Sequence, residues 1–156
     1  MQRVIDPRSV DQRAIVAGLQ QDRFALDYRT SNAVGSWLTG DAGSLVSDTG
    51  GRTRLRSAWA QDTWKFAPRW KTVLGGRLEH WTAEAGRTRI PGASPAVNTA
   101  WPERQETFFS PKAALSRQWL PDTVLKTALG RAVRMPTVAE LYGATATANA
   151  RFINDP

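Results

Sequence analysis

The sequence predicts an all-β protein: an antiparallel, up-and-down sheet of about five or six strands that forms part of a transmembrane β-barrel. Strand-like segments alternate apolar and polar side chains, and aromatic residues stand at their ends. The connections Ala67–Arg69 and Leu120–Asp122 are tight turns, whereas Thr30–Gly51 and Ala85–Glu106 are long, polar and rich in glycine. Short turns on one side and long loops on the other are typical of strands that cross a membrane and loop out on one face.

Length and composition fit one domain and exclude a helical membrane protein. The chain has 156 residues, 41% of them hydrophobic, and no apolar run approaches the roughly 18–20 residues that a spanning helix needs. Barrel strands remain possible because they need apolar residues only at alternate positions. The start, Met1–Pro7, lacks the apolar segment of a secretion signal, so we expect a mature chain or a piece of a longer one.

The charge is basic but dispersed. There are 21 Lys and Arg against 14 Asp and Glu, a net charge of +7, and no cysteine. Without cysteine, disulfides, thiolate metal sites and thiol nucleophiles are excluded. Basic residues are interleaved with acids, which favours solvated strand faces over a nucleic-acid groove, so we expect no nucleic-acid partner. The pattern is clear at Lys112, Arg117, Asp122, Lys126 and Arg131.

The first strand is predicted from Val10 to Gln20, after a turn at Asp6–Ser9, with an uneven continuation to Tyr28. Both of its faces are apolar, so its orientation stays open. The next stretch, Thr30–Gly51, combines several glycines with Ser, Thr and Asp. Such a stretch cannot bury enough apolar area to build an element of its own, and it predicts a long loop.

Two strands, Arg52–Phe66 and Trp70–Glu84, flank the Pro68 turn. In the second, alternation separates a mostly apolar face from a charged one. The apolar face carries Trp70, Thr72, Leu74, Gly76 and Leu78, and the charged face carries Lys71, Val73, Gly75, Arg77 and Glu79.

Two further strands, Thr107–Trp119 and Thr123–Arg134, share the Pro121-Asp122 turn. Small residues and charges fall together on one face, which includes Ser110, Lys112, Ala114, Lys126 and Ala128. In a soluble sandwich this face would meet bulk water, and in a large barrel it would meet a wet lumen. Alternation by itself leaves both open.

The spacing of aromatic residues favours the barrel. Trp70 and Trp81 are eleven residues apart, as are Phe108 and Trp119, which corresponds to roughly 28 Å along a membrane normal for tilted strands, close to the ~25 Å apolar band of outer-membrane barrels. We expect two aromatic girdles. One lies at the short turns and contains Trp64, Phe66, Trp70 and Trp119; the other lies at the loops and contains Trp81, Phe108 and Phe109.

After the last of these strands the pattern changes. Pro136 bars continuation of a strand, and Thr137 and Glu140 follow at the spacing of a capping box. We therefore expect one short helical turn that ends at Gly143.

Four segments in order carry a family resemblance: AWAQDTWKFAPRW, VLGGRLEHW, FFSPKAALSRQW and GRAVRMPTVAELYG. Together they resemble TonB-dependent outer-membrane receptors from about Leu55 to Gly143. In that family an outgoing strand ends in a Pro-Thr-x-x-Glu-Leu-Tyr turn, which matches Pro136, Thr137, Glu140, Leu141 and Tyr142 here.

The resemblance implies a barrel of about 22 strands with an amino-terminal plug, in the outer membrane of a Gram-negative bacterium. Such receptors import scarce ligands, such as iron–siderophore complexes or cobalamin, with energy passed through the TonB complex. This chain shows no plug sequence, no TonB box and no terminal strand, and residues 152–156 resemble a loop before a further strand. We expect residues 1–156 to be a partial barrel domain whose partners are the lipid bilayer, the plug, the remaining strands and, through the plug, TonB.

Catalysis has little support, and we expect neither an enzyme nor a bound cofactor or metal. The single histidine, His80, has no Ser, Asp or Glu at triad or metal-ligand spacing. Arg77, Glu79, Lys112 and Lys126 are expected to face the lumen, where either the plug or the transported ligand would meet them. Lumen charges need partners or water, so our hypothesis is that they hydrogen-bond the plug.

Two other functions stay open on the sequence. One is a small autonomous outer-membrane barrel with a structural or adhesive role, which needs about eight strands. The other is a basic soluble β-domain that binds nucleic acid or polysaccharide.

Overall fold

A computed structural model describes residues 12–36, 38, 40–146 and 151–153. Its elements are β1 (Gln12–Val34), β2 (Asp41–Ala67), β3 (Trp70–Ile90), β4 (Val97–Ala100), β5 (Arg104–Leu120), β6 (Thr123–Gly130), α1 (Val138–Tyr142), β7 (Ala144–Ala146) and β8 (Arg151–Ile153). Within the described residues, no helix is long and apolar enough to cross a membrane.

The strands form an antiparallel sheet in the order β1-β2-β3-β5-β6, with β4 paired to the end of β3. Neighbours along the chain are therefore neighbours in the sheet, as an up-and-down topology requires. The strands β7 and β8 pair separately. The predicted all-β, antiparallel fold class is confirmed.

The two tight turns are also confirmed. Strand β2 ends at Ala67 and β3 begins at Trp70, and β5 ends at Leu120 and β6 begins at Thr123. In each case a proline, Pro68 or Pro121, occupies a turn, where its fixed φ is an advantage and its missing N–H is not needed.

Both predicted long loops are wrong. Strands β1 and β2 continue into Thr30–Gly51 and leave a connection of residues 35–40, and β3 continues through Ile90 before it turns back into β4. A polar strand needs no apolar face when an adjacent strand already satisfies its backbone groups. Short side chains also pair across this hairpin, as Asn32 Nδ2 donates to Ser44 Oγ at 2.8 Å.

Other boundaries differ at the ends of the sheet. Strand β6 ends at Gly130 instead of Arg134, although the Arg131 N–H still donates to the Pro111 carbonyl at 3.0 Å. Residues 152 and 153, predicted as loop, lie in β8, which pairs with β7. The predicted turn at Asp6–Ser9, the strand start at Val10 and residues 154–156 lie outside the described residues.

The chain forms two compact units. The turn-end unit comprises Arg56–Glu79, Thr107–Val133 and β1 up to Gln20; the helix unit comprises Gln21–Leu55, His80–Glu106 and the chain from Arg134. The helix unit contains a buried apolar cluster where α1 packs on strands, made of Trp81, Ala83, Val138, Leu141 and Tyr142.

In the turn-end unit the predicted apolar face is exposed. Leu74 and Leu78 are 52% and 53% exposed, Leu115 is 37% exposed and Leu129 is 80% exposed. The opposite face carries the half-buried Arg77 and the buried Glu79. We call these the apolar face and the polar face of the turn-end unit.

Aromatic residues form a row on the exposed surface near the short turns. The rings of Trp64 and Phe66 lie 5.5 Å apart, and those of Phe66 and Trp70 lie 6.2 Å apart. Trp119, on β5, is 53% exposed. These four residues are the ones predicted for the girdle at the short turns.

The prediction for the second girdle is wrong at Trp81. This side chain is 2% exposed and belongs to the buried cluster beneath α1, whereas Phe109 is 55% exposed. Trp81 lies two residues after Glu79 and therefore on the same side of β3, where it packs against α1. An odd spacing of eleven residues places Trp81 on the opposite face of the strand from Trp70.

Ala85 changes the facing of β3 inside the helix unit. Its φ is +54°, in the left-handed region. Before Ala85 the buried positions are Trp81 and Ala83, and after it they are Gly86, Thr88 and Ile90. The parity of buried positions therefore shifts by one residue, as at a β-bulge.

Candidate functional site

Register brings the predicted polar-face residues to one side of the sheet in the turn-end unit. A Cβ on Gly75 would lie 2.9 Å from Lys112 Cε, so Lys112 of β5 lies over the face of β3 that carries Arg77 and Glu79. Lys126 of β6 pairs directly with Ser116, which shares the parity of Lys112. All four predicted residues, Arg77, Glu79, Lys112 and Lys126, therefore belong to the polar face.

Arg77 is the centre of a hydrogen-bond network on this face. One terminal nitrogen donates to Gln20 Oε1 and to Ser57 Oγ, each at 2.8 Å, and Nε lies 3.1 Å from Glu79 Oε1. Glu79 also accepts a hydrogen bond from Ser110 Oγ at 3.4 Å. The network joins four strands, β1, β2, β3 and β5, through side chains.

A cavity of about 620 Å³ opens beside this network. Arg77, Lys112 and Arg131 contribute positive charge to its wall, and Glu79 contributes negative charge. Trp59 and Val16 supply an apolar side. The cavity can therefore hold a chain segment or ligand with acidic groups and some apolar surface.

Lys126 differs from the other three because it lies near the edge of the sheet. It does not line the 620 Å³ cavity, but it borders a smaller cavity whose wall also includes Trp70 and Arg117 of the apolar face. Every residue of β6 is exposed. The structure therefore brings Arg77, Glu79 and Lys112 together and leaves Lys126 apart from them.

The predicted turn after Pro136 is confirmed in its details. Helix α1 runs from Val138 to Tyr142, with Thr137 as N-cap. The Glu140 N–H donates to Thr137 Oγ1 at 3.3 Å, and the Thr137 N–H donates to the Glu140 carboxylate at 2.8 Å. This reciprocal capping box satisfies two of the amide donors that the start of a helix leaves without partners.

Charge reinforces this cap. The Thr137 N–H and then the Arg134 guanidinium, which is ion-paired with Glu140, lower the pKa of the Glu140 carboxyl from its ordinary 4.5 to about 2. Glu140 is exposed, as is Arg134. The cap is therefore in its charged form at neutral pH.

The Tyr142 side chain packs α1 against the sheet of the helix unit. Its side chain is 1% exposed, and a Cβ added to Gly51 would lie 2.6 Å from its ring. Gly86 is against the same ring. Glycine is required at these points because the aromatic ring lies directly on the backbone of β2 and β3.

A cavity of about 300 Å³ lies beside α1 in the helix unit. Its wall is almost entirely apolar and includes Phe24, Leu55, Trp81, Met135 and Val138. The segment from Met135 to Ala139 thus covers the strands, and an apolar cavity remains between this segment and the sheet.

The sequence does not predict several of the contacts made by Arg77 on the polar face and by Tyr142 in the helix unit. Alternation places Arg77 on a face but does not identify Gln20 or Ser57 as its acceptors, because these depend on register between strands. Gly51 and Gly86 fall in the two stretches, Thr30–Gly51 and Ala85–Glu106, that the sequence predicts as loops. Glycine within a run of paired strand residues is also a sign of close approach by another group, and that sign is present here.

Comparison with known protein families gives the class of protein. The chain matches the family model described as TonB dependent receptor-like, beta-barrel, over residues 8–156. The chain therefore belongs to the TonB-dependent receptor β-barrel family. This family consists of outer-membrane proteins of Gram-negative bacteria that act in TonB-dependent transport, and its full-length members carry a plug domain and interact with TonB. No curated protein and no solved structure matches the chain.

Proposed function

We propose that this chain is a section of the barrel wall of a receptor that takes up a scarce ligand, such as an iron–siderophore complex or cobalamin, with energy from TonB. The observation that supports this is the two-faced sheet of the turn-end unit. Its apolar face exposes leucines, as at Leu74 and Leu78, while its polar face holds an ion-paired network. This division suits a wall with hydrocarbon on one side and a wet lumen on the other.

We further propose that the polar face meets the plug. Arg77, Glu79 and Lys112 line one cavity with a surplus of positive charge. A charged face enclosed inside a barrel needs partners or water, and an acidic segment of the plug would supply carboxylates to Lys112 and Arg131. We propose the same contact for Lys126, because its pairing with Ser116 gives it the parity of the polar face.

Transport is tested by deleting the gene of the receptor that contains this chain. We expect the deletion strain to lose TonB-dependent growth or uptake with one of two supplied ligands, a ferric siderophore or cobalamin, and complementation to restore it. A strain lacking TonB is the control, since it should show the same loss. Unchanged uptake of a broad panel of iron complexes and cobalamin would contradict the proposed ligand class.

The plug contact is tested separately with Arg77→Glu in the full-length receptor. The reversal places a carboxylate beside Glu79, whose side chain is 10% exposed, and removes the donor to Gln20 and Ser57. We expect uptake to fall several-fold and the plug to become accessible to protease, because buried like charges repel strongly.

Arg69→Glu is the matched control for that experiment, because Arg69 is an exposed cation in the Pro68 turn of the same unit. It should leave both measurements unchanged. Heat-modifiable electrophoretic mobility reports whether each variant still forms a folded barrel. A folded Arg77→Glu receptor with normal uptake and a protease-protected plug would contradict the proposed plug contact.

A further inference from the structure

Arg117 is held between two tryptophan rings on the apolar face of the turn-end unit. Its guanidinium carbon lies 5.0 Å from the centroid of the Trp70 ring and 4.7 Å from that of the Trp119 ring. The side chain is exposed. Both rings present their electron-rich faces to the cation, and this fixes where its charge lies.

Arg117 has no carboxylate partner among the residues that the structure describes. Other arginines of this unit do: Arg13 pairs with Asp62 at 2.5 Å, and Arg77 lies 3.1 Å from Glu79. The guanidinium has five N–H donors, and ring faces satisfy none of them as an anion would. Its donors are therefore available to an external acceptor.

The position of Arg117 along the strand defines what it can meet. A cation on the lipid face is most unfavourable at the middle of the bilayer and is tolerated near the interfaces. Arg117 lies beside Trp119, close to the Pro121 turn, and the aromatic row of Trp64, Phe66 and Trp70 marks the same level. Its level is therefore that of lipid headgroups.

A cavity of about 300 Å³ lies directly beside the cation. Its wall combines Arg117 with Trp70, Trp119, Leu115 and Leu125. Lys126 and Thr127, on the edge strand, also border it, so a second cation lies at the same cavity. Leu115 lies two residues further from the Pro121 turn than Arg117, so the apolar part of the wall continues toward the bilayer interior. This order, cation at the interface and leucine below it, matches a phosphate joined to an acyl chain.

We propose that Arg117, Trp70 and Trp119 form a binding site for the headgroup phosphate of an anionic phospholipid, whose acyl chain lies along Leu115 and Leu125. Short turns of outer-membrane barrels lie on the periplasmic side, so the lipid belongs to the periplasmic leaflet. The planar guanidinium binds two phosphate oxygens at once, while the indole rings lie at the headgroup level. This role is independent of the transported ligand and goes beyond the proposed function.

The test uses the intact receptor that contains this chain, purified in detergent and mixed with phosphatidylglycerol, with retained lipid measured by native mass spectrometry. Arg117→Gln removes the charge and should lower phosphatidylglycerol affinity about tenfold, as the loss of a charge-assisted hydrogen bond predicts. Arg117→Lys should keep part of the affinity, since it keeps the charge without the planar fork. Lys71→Gln is the matched control, because Lys71 follows Trp70 directly and has the opposite parity on β3.

The proposal would be overturned by unchanged retention in Arg117→Gln, by an equal loss in Lys71→Gln, or by tighter binding of lipid A than of phosphatidylglycerol. An equal loss in Lys71→Gln would indicate general attraction to a basic surface, and tighter binding of lipid A would indicate a site in the other leaflet. Inorganic phosphate is added as a competitor; displacement of the lipid at comparable concentration would show a free-anion site and would also count against a lipid. Lipid retention needs no transport, so its outcome is separate from that of the uptake experiments.

Discussion

The hydroxyl of Thr88 donates a hydrogen bond to the backbone oxygen of Tyr142, 3.0 Å away and 54 positions later in the chain. Trp101 Nε1 donates in turn to Thr88 Oγ1 at 3.1 Å. Thr88 is fully buried, so these two consecutive hydrogen bonds are shielded from water. It ties the end of α1 to β3 in the helix unit.

Replacing Thr88 with valine should destabilise the helix unit. The change keeps the shape of the side chain and leaves the Tyr142 carbonyl and Trp101 Nε1 without their shared partner, at about 1–3 kcal/mol for buried polar groups. Urea unfolding of the receptor in lipid vesicles, followed by tryptophan fluorescence, measures the loss. Thr99→Val is the control, since Thr99 pairs with Thr88 in β4 and should change stability by no more than about 0.5 kcal/mol.

Adding a single methyl group to Gly86 should also destabilise the protein. A Cβ there would overlap the Tyr142 ring, which also lies against Gly51 and is buried, so it has little room to move. We expect Gly86→Ala to cost about 1–3 kcal/mol through overpacking. Gly92→Ala, at a turn where a Cβ would meet nothing within 4 Å, should be nearly neutral; equal effects of the two would exclude the ring contact as the cause.

The parts of the fold that sequence predicts well are those governed by local rules. The Pro68 and Pro121 turns follow from the geometry of proline, and the α1 capping box follows from Thr137 and Glu140. The two faces of β3 near Leu74 follow from strict alternation. In each case the deciding contacts lie within a few residues of one another.

The remaining parts depend on partners distant in sequence. Glycine and polar residues in Thr30–Gly51 are as compatible with a loop as with a long hairpin, and only the pairing of β1 with β2 decides between them. Trp81 is buried because α1 returns over it, and Ala85 then reverses the parity of β3. The acceptors of Arg77 depend on strand register, so residue types can name the candidate site without completing it.

Ala85 is strained in a way that a substitution can reveal. Its φ of +54° is unfavourable for a residue with a Cβ, and glycine would remove that strain. We expect Ala85→Gly to be neutral or to stabilise the receptor by up to about 1 kcal/mol, and Ala85→Val to destabilise it by more than that, because a β-branched residue tolerates this conformation least. Ala83→Gly, two residues earlier on the same strand, should destabilise, and a similar loss in Ala85→Gly would argue against the bulge.

The pH dependence of α1 follows from the lowered pKa of Glu140. In the folded chain the carboxyl stays charged down to about pH 2, whereas in the unfolded chain it is protonated below about pH 4.5. The unfolded state therefore binds more protons in this window, and the contribution of Glu140 to stability is present above it and lost as the pH falls through it.

Glu140→Gln should remove that part of the pH dependence. The difference in urea midpoint between wild type and variant should be largest near neutral pH and should shrink toward about pH 2. Glu103→Gln, at an exposed position between β4 and β5, serves as the control and should run parallel to wild type. A constant difference at every pH would contradict the charged cap.

The apolar face of the turn-end unit provides the sharpest test that it meets hydrocarbon. Leu74 and Leu120 are both leucines with 52% exposure. In the proposed membrane orientation they differ in depth: Leu74 lies about 10 Å along the membrane normal from the Trp70 girdle, near the middle of the apolar band. Leu120 adjoins the Pro121 turn. In lipid vesicles, Leu74→Arg should cost about 2–4 kcal/mol of unfolding free energy and Leu120→Arg about 0–1 kcal/mol, since the penalty for a cation depends on depth. In water the two equally exposed positions should tolerate arginine equally. Equal and small effects of both substitutions in vesicles would show that this face does not contact lipid and would remove the basis for a membrane-spanning wall.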